Sequence, residues 1–131
     1  MHEWALAEAV ISSALDFSKE NRLKEIKEIT VALGELQQID REVFDFALSE
    51  IMKSKGLEFR VVLRRKKSLL KCKRCNEEWS FDTGKLNEQE KESIHFIPEL
   101  VHDYQGCPKC GSPDFKILKG RGVWLDSIRG D

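Results

Sequence analysis

The chain has 131 residues, 40% of them hydrophobic and 34% charged, with a formal net charge of −1. That length supports one modest core and a smaller, metal-held satellite. No apolar run approaches the ~18 residues that span a bilayer, and the start Met1-His2-Glu3-Trp4 has neither the basic nor the apolar stretch of a signal peptide, so a soluble cytoplasmic protein with no membrane partner is expected.

In chain order, Leu6, Ala7, Val10, Ile11, Ala14, Leu15 and Phe17 recur at helical spacing and predict an amphipathic helix that starts almost at residue 2. Ile26, Ile29, Val31 and Leu33 form a β-branched run closing at Gly34-Glu35-Leu36, which reads as a strand and turn. Asp40 is placed to cap a second helix carrying Val43, Phe44, Ala47, Leu48, Ile51 and Met52, with Gly56 as its stop. Residues 57–63 and 68–71 then read as two strands joined by the basic turn Arg64-Arg65-Lys66-Lys67. The expected class is α+β, with two helices packed on a small β-sheet. Its bounds are residues 1–71, with 119–131 as a candidate addition.

From residue 72 the pattern changes. Apolar residues come in short stretches around Trp79 and Phe81, at 115–118 and at 123–125, too few for an independent core. All four cysteines lie here, as Cys72-Lys-Arg-Cys75 and Cys107-Pro-Lys-Cys110-Gly. Two residues between cysteines let both sulfurs turn inward around a tight knuckle, and two such knuckles present four thiolates to one Zn²⁺ at bond lengths near 2.3 Å, an approximate general value. Two disulfides are the competing reading, and they need an oxidising compartment for which no export signal is visible. A zinc ribbon over residues 72–118 is therefore expected, with metal supplying the stability that its core lacks. A zinc ion with four thiolates has no open position for water or substrate, so its role is structural. The sequence also lacks a phosphate-cradling Gly-Lys-Ser/Thr loop and a nucleophile elbow, which argues against an enzyme.

Zinc ribbons often grip nucleic acid, and Arg64 to Lys67 with Lys71, Lys73 and Arg74 would serve that purpose. Against this stand a pI near 6.3 and the acidic residues Glu88, Glu90, Glu92 and Asp103 of the insert, which favour a solvated basic tip and no nucleic-acid partner. A nucleic-acid-binding adaptor is the alternative function. At the amino end, the α-amine of Met1, the backbone nitrogen of His2 and its imidazole can chelate one ion through fused rings. Three roughly coplanar nitrogens favour Ni(II) or Cu(II) over Zn(II). Glu3 could offset the positive end of the following helix, which repels a cation; a frayed terminal histidine and an ordinary acidic first turn account for the same residues.

Met1-His2-Glu3, Val31-Ala32-Leu33-Gly34-Glu35-Leu36 and Cys107-Pro-Lys-Cys110-Gly-Ser together resemble the HypA family of hydrogenase nickel-incorporation proteins over essentially the full length. The long insert at 76–106 departs from many members and resembles archaeal versions. The resemblance implies a metallochaperone that carries Ni(II) as cargo during maturation of [NiFe]-hydrogenase. Its implied partners are a nickel GTPase of the HypB type and the hydrogenase large subunit. It assigns nickel to Met1 and His2 with Glu3 in support, and zinc to Cys72, Cys75, Cys107 and Cys110. The remaining histidines, His95 and His102, lie in the insert. A planar nickel ion with three terminal nitrogens has a fourth position that either imidazole could fill, and His95, on an apolar segment ending at Pro98, is preferred; a packed structural role is its other reading.

Overall fold

The computed structural model describes residues 2–81, 86–97, 101–102 and 106–131, without the side chain of Phe96. It contains two compact units. The first comprises residues up to Ala32, Ile39–Arg64 and Val123–Asp131; the second comprises Leu33–Gln38 and Arg65–Gly122.

In the first unit, helix α1 (Glu3–Glu20) packs on helix α2 (Arg41–Ser54). The buried line of α1 is Ala7, Val10, Ile11 and Ala14, one face of a 3.6-residue period. It is narrower than the expected stripe: Leu6 and Leu15 flank it half-buried, and Phe17, near the helix end, is exposed. Helix α2 begins as its sequence dictates, with the Asp40 carboxylate accepting the Val43 N–H at 3.2 Å. It buries Phe44, Ala47, Leu48, Ile51 and Met52. The accompanying sheet has the order β2-β1-β6, from strands β1 (Ile26–Gly34), β2 (Arg60–Lys66) and β6 (Val123–Gly130). Ile29 and Val31 of β1 are fully buried, each such side chain contributing roughly 1.5–3 kcal/mol of transfer free energy.

The second unit holds strands β3 (Leu69–Cys72), β4 (Glu78–Trp79) and β5 (Phe115–Lys119) as an antiparallel sheet of order β4-β3-β5. In register, Leu70 faces Trp79 on one side and Ile117 on the other, and Cys72 faces Phe115. Strands do form near both expected runs, but they are shifted to Arg60–Lys66 and Leu69–Cys72 and enter different sheets, so the expected basic hairpin turn is absent: Arg64, Arg65 and Lys66 lie within β2, and the connection begins at Lys67. A third helix, α3 (Glu88–Phe96), supplements the two expected. It starts at a reciprocal capping box between Asn87 and Glu90. The core of this unit is Leu36, Leu70, Phe81, Ile94, Val101 and Phe115, with Trp79, Leu86 and Ile117 packed against it. Among the described residues, no helix is long and apolar enough to cross a membrane.

Candidate metal centres

The four cysteines converge in the second unit. Cys72 ends β3, Cys75 and Cys110 sit on turns, and Cys107 immediately precedes the second turn. Both knuckles fold through the same backbone bonds. Cys72 N–H donates to Glu77 O and Asn76 N–H to Cys72 O; Cys107 N–H donates to Ser112 O and Gly111 N–H to Cys107 O. Each knuckle turns at a positive φ, 65° at Asn76 and 76° at Gly111. Lys73 N–H, donating to Asp114 O at 3.0 Å, ties one knuckle to the other.

The four sulfur atoms lie within 4.8 Å of one another. Cys72 to Cys110 and Cys75 to Cys107 are each 3.6 Å. A tetrahedron with metal–sulfur bonds of about 2.3 Å has edges of roughly 3.8 Å, whereas a disulfide would need about 2.05 Å. The spacing fits the first and not the second. Backbone N–H groups also point at the sulfurs: Arg74 and Cys75 at Cys72 Sγ (3.4 and 3.5 Å) and Lys109 at Cys107 Sγ (3.4 Å). Such donors stabilise thiolate.

The protonation of the metal-free cluster follows. The Cys75 N–H, with help from Arg74 and the neighbouring thiols, pulls Cys72 down to about 7 against the effect of burial. Burial raises Cys107, but the N–H groups of Cys110 and Lys109 outweigh it and leave the thiol below its usual range. The Glu77 N–H favours a Cys75 thiolate, yet burial and the sulfurs of Cys107, Cys72 and Cys110 push that thiol up to about 12. Without metal, the cluster retains a proton on Cys75 at neutral pH.

At the amino end, Met1 lies outside the described residues. His2 is exposed at the N-cap of α1, where its carbonyl accepts the Leu6 N–H at 2.9 Å. Glu3 is only 4% exposed, and its Oε1 accepts the Asp40 N–H at 3.3 Å. Burial raises the Glu3 pKa, but hydrogen bonds, among them those from its own N–H and that of Asp40, bring it below the ordinary carboxylate value.

The other histidines are built into the second unit. His95, on α3 and 2% exposed, donates from Nδ1 to the Gln37 carbonyl, and Gln37 Nε2 reaches the His95 carbonyl at 3.5 Å. His102 stacks on Phe115 with ring centroids 4.0 Å apart, its Nδ1 3.2 Å from Pro113 O. Ser68, which the sequence reading passed over, is buried and bonded in two directions: its N–H donates to Glu35 Oε2 and its hydroxyl accepts the Phe81 N–H, both at 2.8 Å. A lone serine between a basic run and an apolar pair carries no local signal of that role.

The sulfur cluster defines a protein with a four-cysteine site able to hold a metal ion, and comparison with known proteins places it more closely. A family model described as hydrogenase/urease nickel incorporation, metallochaperone, hypA matches residues 1–130. The hydrogenase maturation factor HypA of Pyrococcus abyssi is 41% identical over 132 residues, covering 98% of this chain and 95% of that protein. Its counterpart in Thermococcus onnurineus is 41% identical over 134 residues, with the same shares covered. The solution structure of the Ni metallochaperone HypA from Helicobacter pylori shares the fold, with a TM-score of 0.64 at 22% identity over 99% of this chain and 97% of that one. The chain belongs to the HypA family of nickel-incorporation metallochaperones.

Proposed function

We propose that this protein binds Ni(II) at its amino terminus and delivers it in the cytoplasm to the large subunit of [NiFe]-hydrogenase, acting beside a HypB-type nickel GTPase, and that the four thiolates hold a structural Zn²⁺. Membership of a nickel-incorporation family over residues 1–130 carries the reading. The cargo site consists of the Met1 amine, the His2 backbone nitrogen and the His2 imidazole. The exposure of His2 supports it, because a site that receives and releases an ion must be reachable. Glu3 assists by placing a carboxylate in the first turn of α1 and tying that turn to the start of α2.

Zinc, once bound, supplies a saturated four-sulfur clamp in place of an extended core. The protein accordingly makes no bonds itself, and nucleotide hydrolysis belongs to the partner. The α+β domain expected at residues 1–71 with 119–131 is assigned nickel and partner contact; the module at 72–118 is assigned zinc. Partner contact on the first unit is supported by Trp4 and Phe46, exposed at 48% and 61%, whose rings lie 6.5 Å apart across α1 and α2.

His95 is the candidate fourth nickel ligand. Its Nδ1–H bond to a backbone carbonyl sets the tautomer that metal-ligating histidines use. Its burial gives it a structural part as well.

The test is nickel titration of metal-replete protein with Met1 as its free amino terminus, against the same protein with an uncleaved terminal extension. The free form should bind one Ni(II) with the weak visible band of a planar, diamagnetic ion; the extended form and His2→Ala should not. His95→Ala should loosen the ion without removing it, and zinc content should stay constant throughout. Unaltered stoichiometry and spectrum in the extended protein would overturn the terminal chelate.

A further inference from the structure

Strand β2 lies at an edge of the sheet in the first unit, beside a groove formed with α2. An edge strand leaves a row of backbone N–H and C=O groups open to pairing with another chain. The groove consists of two adjoining depressions of about 320 and 460 Å³ that share Asp45 and Val61. Its apolar lining is Leu48, Met52, Leu57, Phe59, Val61 and Leu63. The Leu63 carbonyl accepts from Arg41 Nη2 at 3.1 Å, so one backbone acceptor of this strand is held by a side chain that a stronger partner could displace.

The two faces of β2 differ in chemistry because side chains alternate along a strand. Val61 and Leu63 line the groove. Arg60 and Arg64 therefore belong to the opposite face. There Arg60 shares the single Glu28 carboxylate with Arg129, at 3.7 and 3.6 Å, and both guanidinium groups remain largely exposed. Arg64 is exposed, and among the described residues it has no ion-pair partner. Among the described residues, Arg60 and Arg129 thus share one carboxylate, and Arg64 is paired with none.

This arrangement selects among occupants. A second copy of the chain is disfavoured: antiparallel self-pairing centred on Val62 sets Arg60 opposite Arg64, and directly opposed like charges destabilise a sheet. On the groove side, Asp45 and Glu42 stand beside Arg41 and Lys53, so the rim charges offset one another and the apolar lining decides what enters. We propose that β2 docks an extended segment of a partner protein as a fourth strand of the sheet, a segment whose residues alternate between apolar side chains facing the α2 groove and acidic side chains facing Arg60 and Arg64. Main-chain pairing would supply affinity and the alternating side chains specificity. The proposal is independent of the nickel site and of the aromatic pair at Trp4 and Phe46.

The probe is a short synthetic peptide of alternating valine and glutamate, titrated into the full-length metal-replete protein at low salt and followed by amide NMR. Expected are saturable shifts and slowed amide exchange along residues 60–64, with side-chain shifts at Leu48 and Met52. Methylating alternate backbone nitrogens of the peptide should abolish binding, since such a strand cannot pair. Arg64→Glu, at an exposed position without an ion-pair partner to lose among the described residues, should weaken binding about fivefold or more while leaving the remaining spectrum unchanged. Equal binding by a peptide of the same composition with its glutamates in one block, or by the methylated peptide, would reduce the effect to nonspecific charge attraction and overturn the proposal. Shifts confined to other residues, or concentration-dependent self-association through β2 without peptide, would overturn it as well.

Discussion

Gly34, in the Gly-Glu-Leu turn, offers a steric test of the second unit. A Cβ built on it meets the Gly120 carbonyl oxygen first and falls 2.7 Å from both the Gly122 oxygen and the Gly120 carbonyl carbon. Ordinary carbon–oxygen contacts begin near roughly 3.3 Å, so the facing backbone must retreat by more than about 0.6 Å. That backbone is not free to retreat, because Gly34 N–H donates to Gly122 O at 2.8 Å and Leu36 N–H to Gly120 O at 2.9 Å. Overpacking costs roughly 1–3 kcal/mol and one buried backbone hydrogen bond left unmade about as much again, so Gly34→Ala should destabilise by about 2–6 kcal/mol. Gly56 is the control: its φ is +68° and a Cβ there meets nothing within 4 Å, so Gly56→Ala incurs only left-handed strain of roughly 1–2 kcal/mol, partly offset in the unfolded chain. Urea unfolding of the metal-replete variants gives both numbers. Amide exchange should place the Gly34→Ala loss at Leu70 and Phe115 rather than at Ala47. A Gly34→Ala cost no larger than that of Gly56→Ala would refute the close-approach argument.

Cys72→Ser or Cys110→Ser should remove about one zinc per chain by elemental analysis and unfold much of the second unit while sparing α1 and α2, since metal binding in such modules contributes ~10 kcal/mol or more; full zinc content in either variant would defeat the site. Zinc affinity should fall with pH, because binding must displace the proton that Cys75 keeps up to about 12, and proton release on titration checks it. The Glu3 pKa is lowered in the folded protein, so its carboxylate adds stability above its unfolded pKa, and that stability is lost as pH falls through the folded value. Glu3→Gln should therefore cost more at neutral than at acid pH, and an equal cost at both would reject the linkage. Neutralising Arg64, Arg65 and Lys66 together should leave association with a nickel GTPase intact, as read by co-purification; its loss would move that contact from the aromatic pair to the basic segment.

What could be read from the sequence was what local chemistry determines. The period of Ala7, Val10, Ile11 and Ala14, the Asp40 cap and the branched run of β1 each specify an element through neighbours only a few residues away. The cysteine brackets were legible for the same reason, since each knuckle closes within five residues through backbone bonds of its own. Helix α3 escaped because it exposes most of its surface and Ile94 and His95 are its only buried side chains among those described, too few to make a period. Its signal was the Asn-x-x-Glu capping box at 87–90, a start mark that does not depend on a hydrophobic stripe.

Strand partition was illegible on other grounds. Nothing within 60–72 distinguishes a hairpin from two strands sent to separate sheets, because the choice is made by β1 and β5, tens of residues away. The Gly34-Glu35-Leu36 turn lies between these cases. It read as the end of a strand, yet each of its residues answers a distant one: Gly34 is pressed against Gly120 and Gly122, Glu35 accepts the Ser68 N–H, and Leu36 enters the core with Leu70 and Phe115. A short turn that satisfies three remote constraints at once leaves little latitude in residue type. That gives a physical reason for the family resemblance to rest on this turn as well as on the metal ligands.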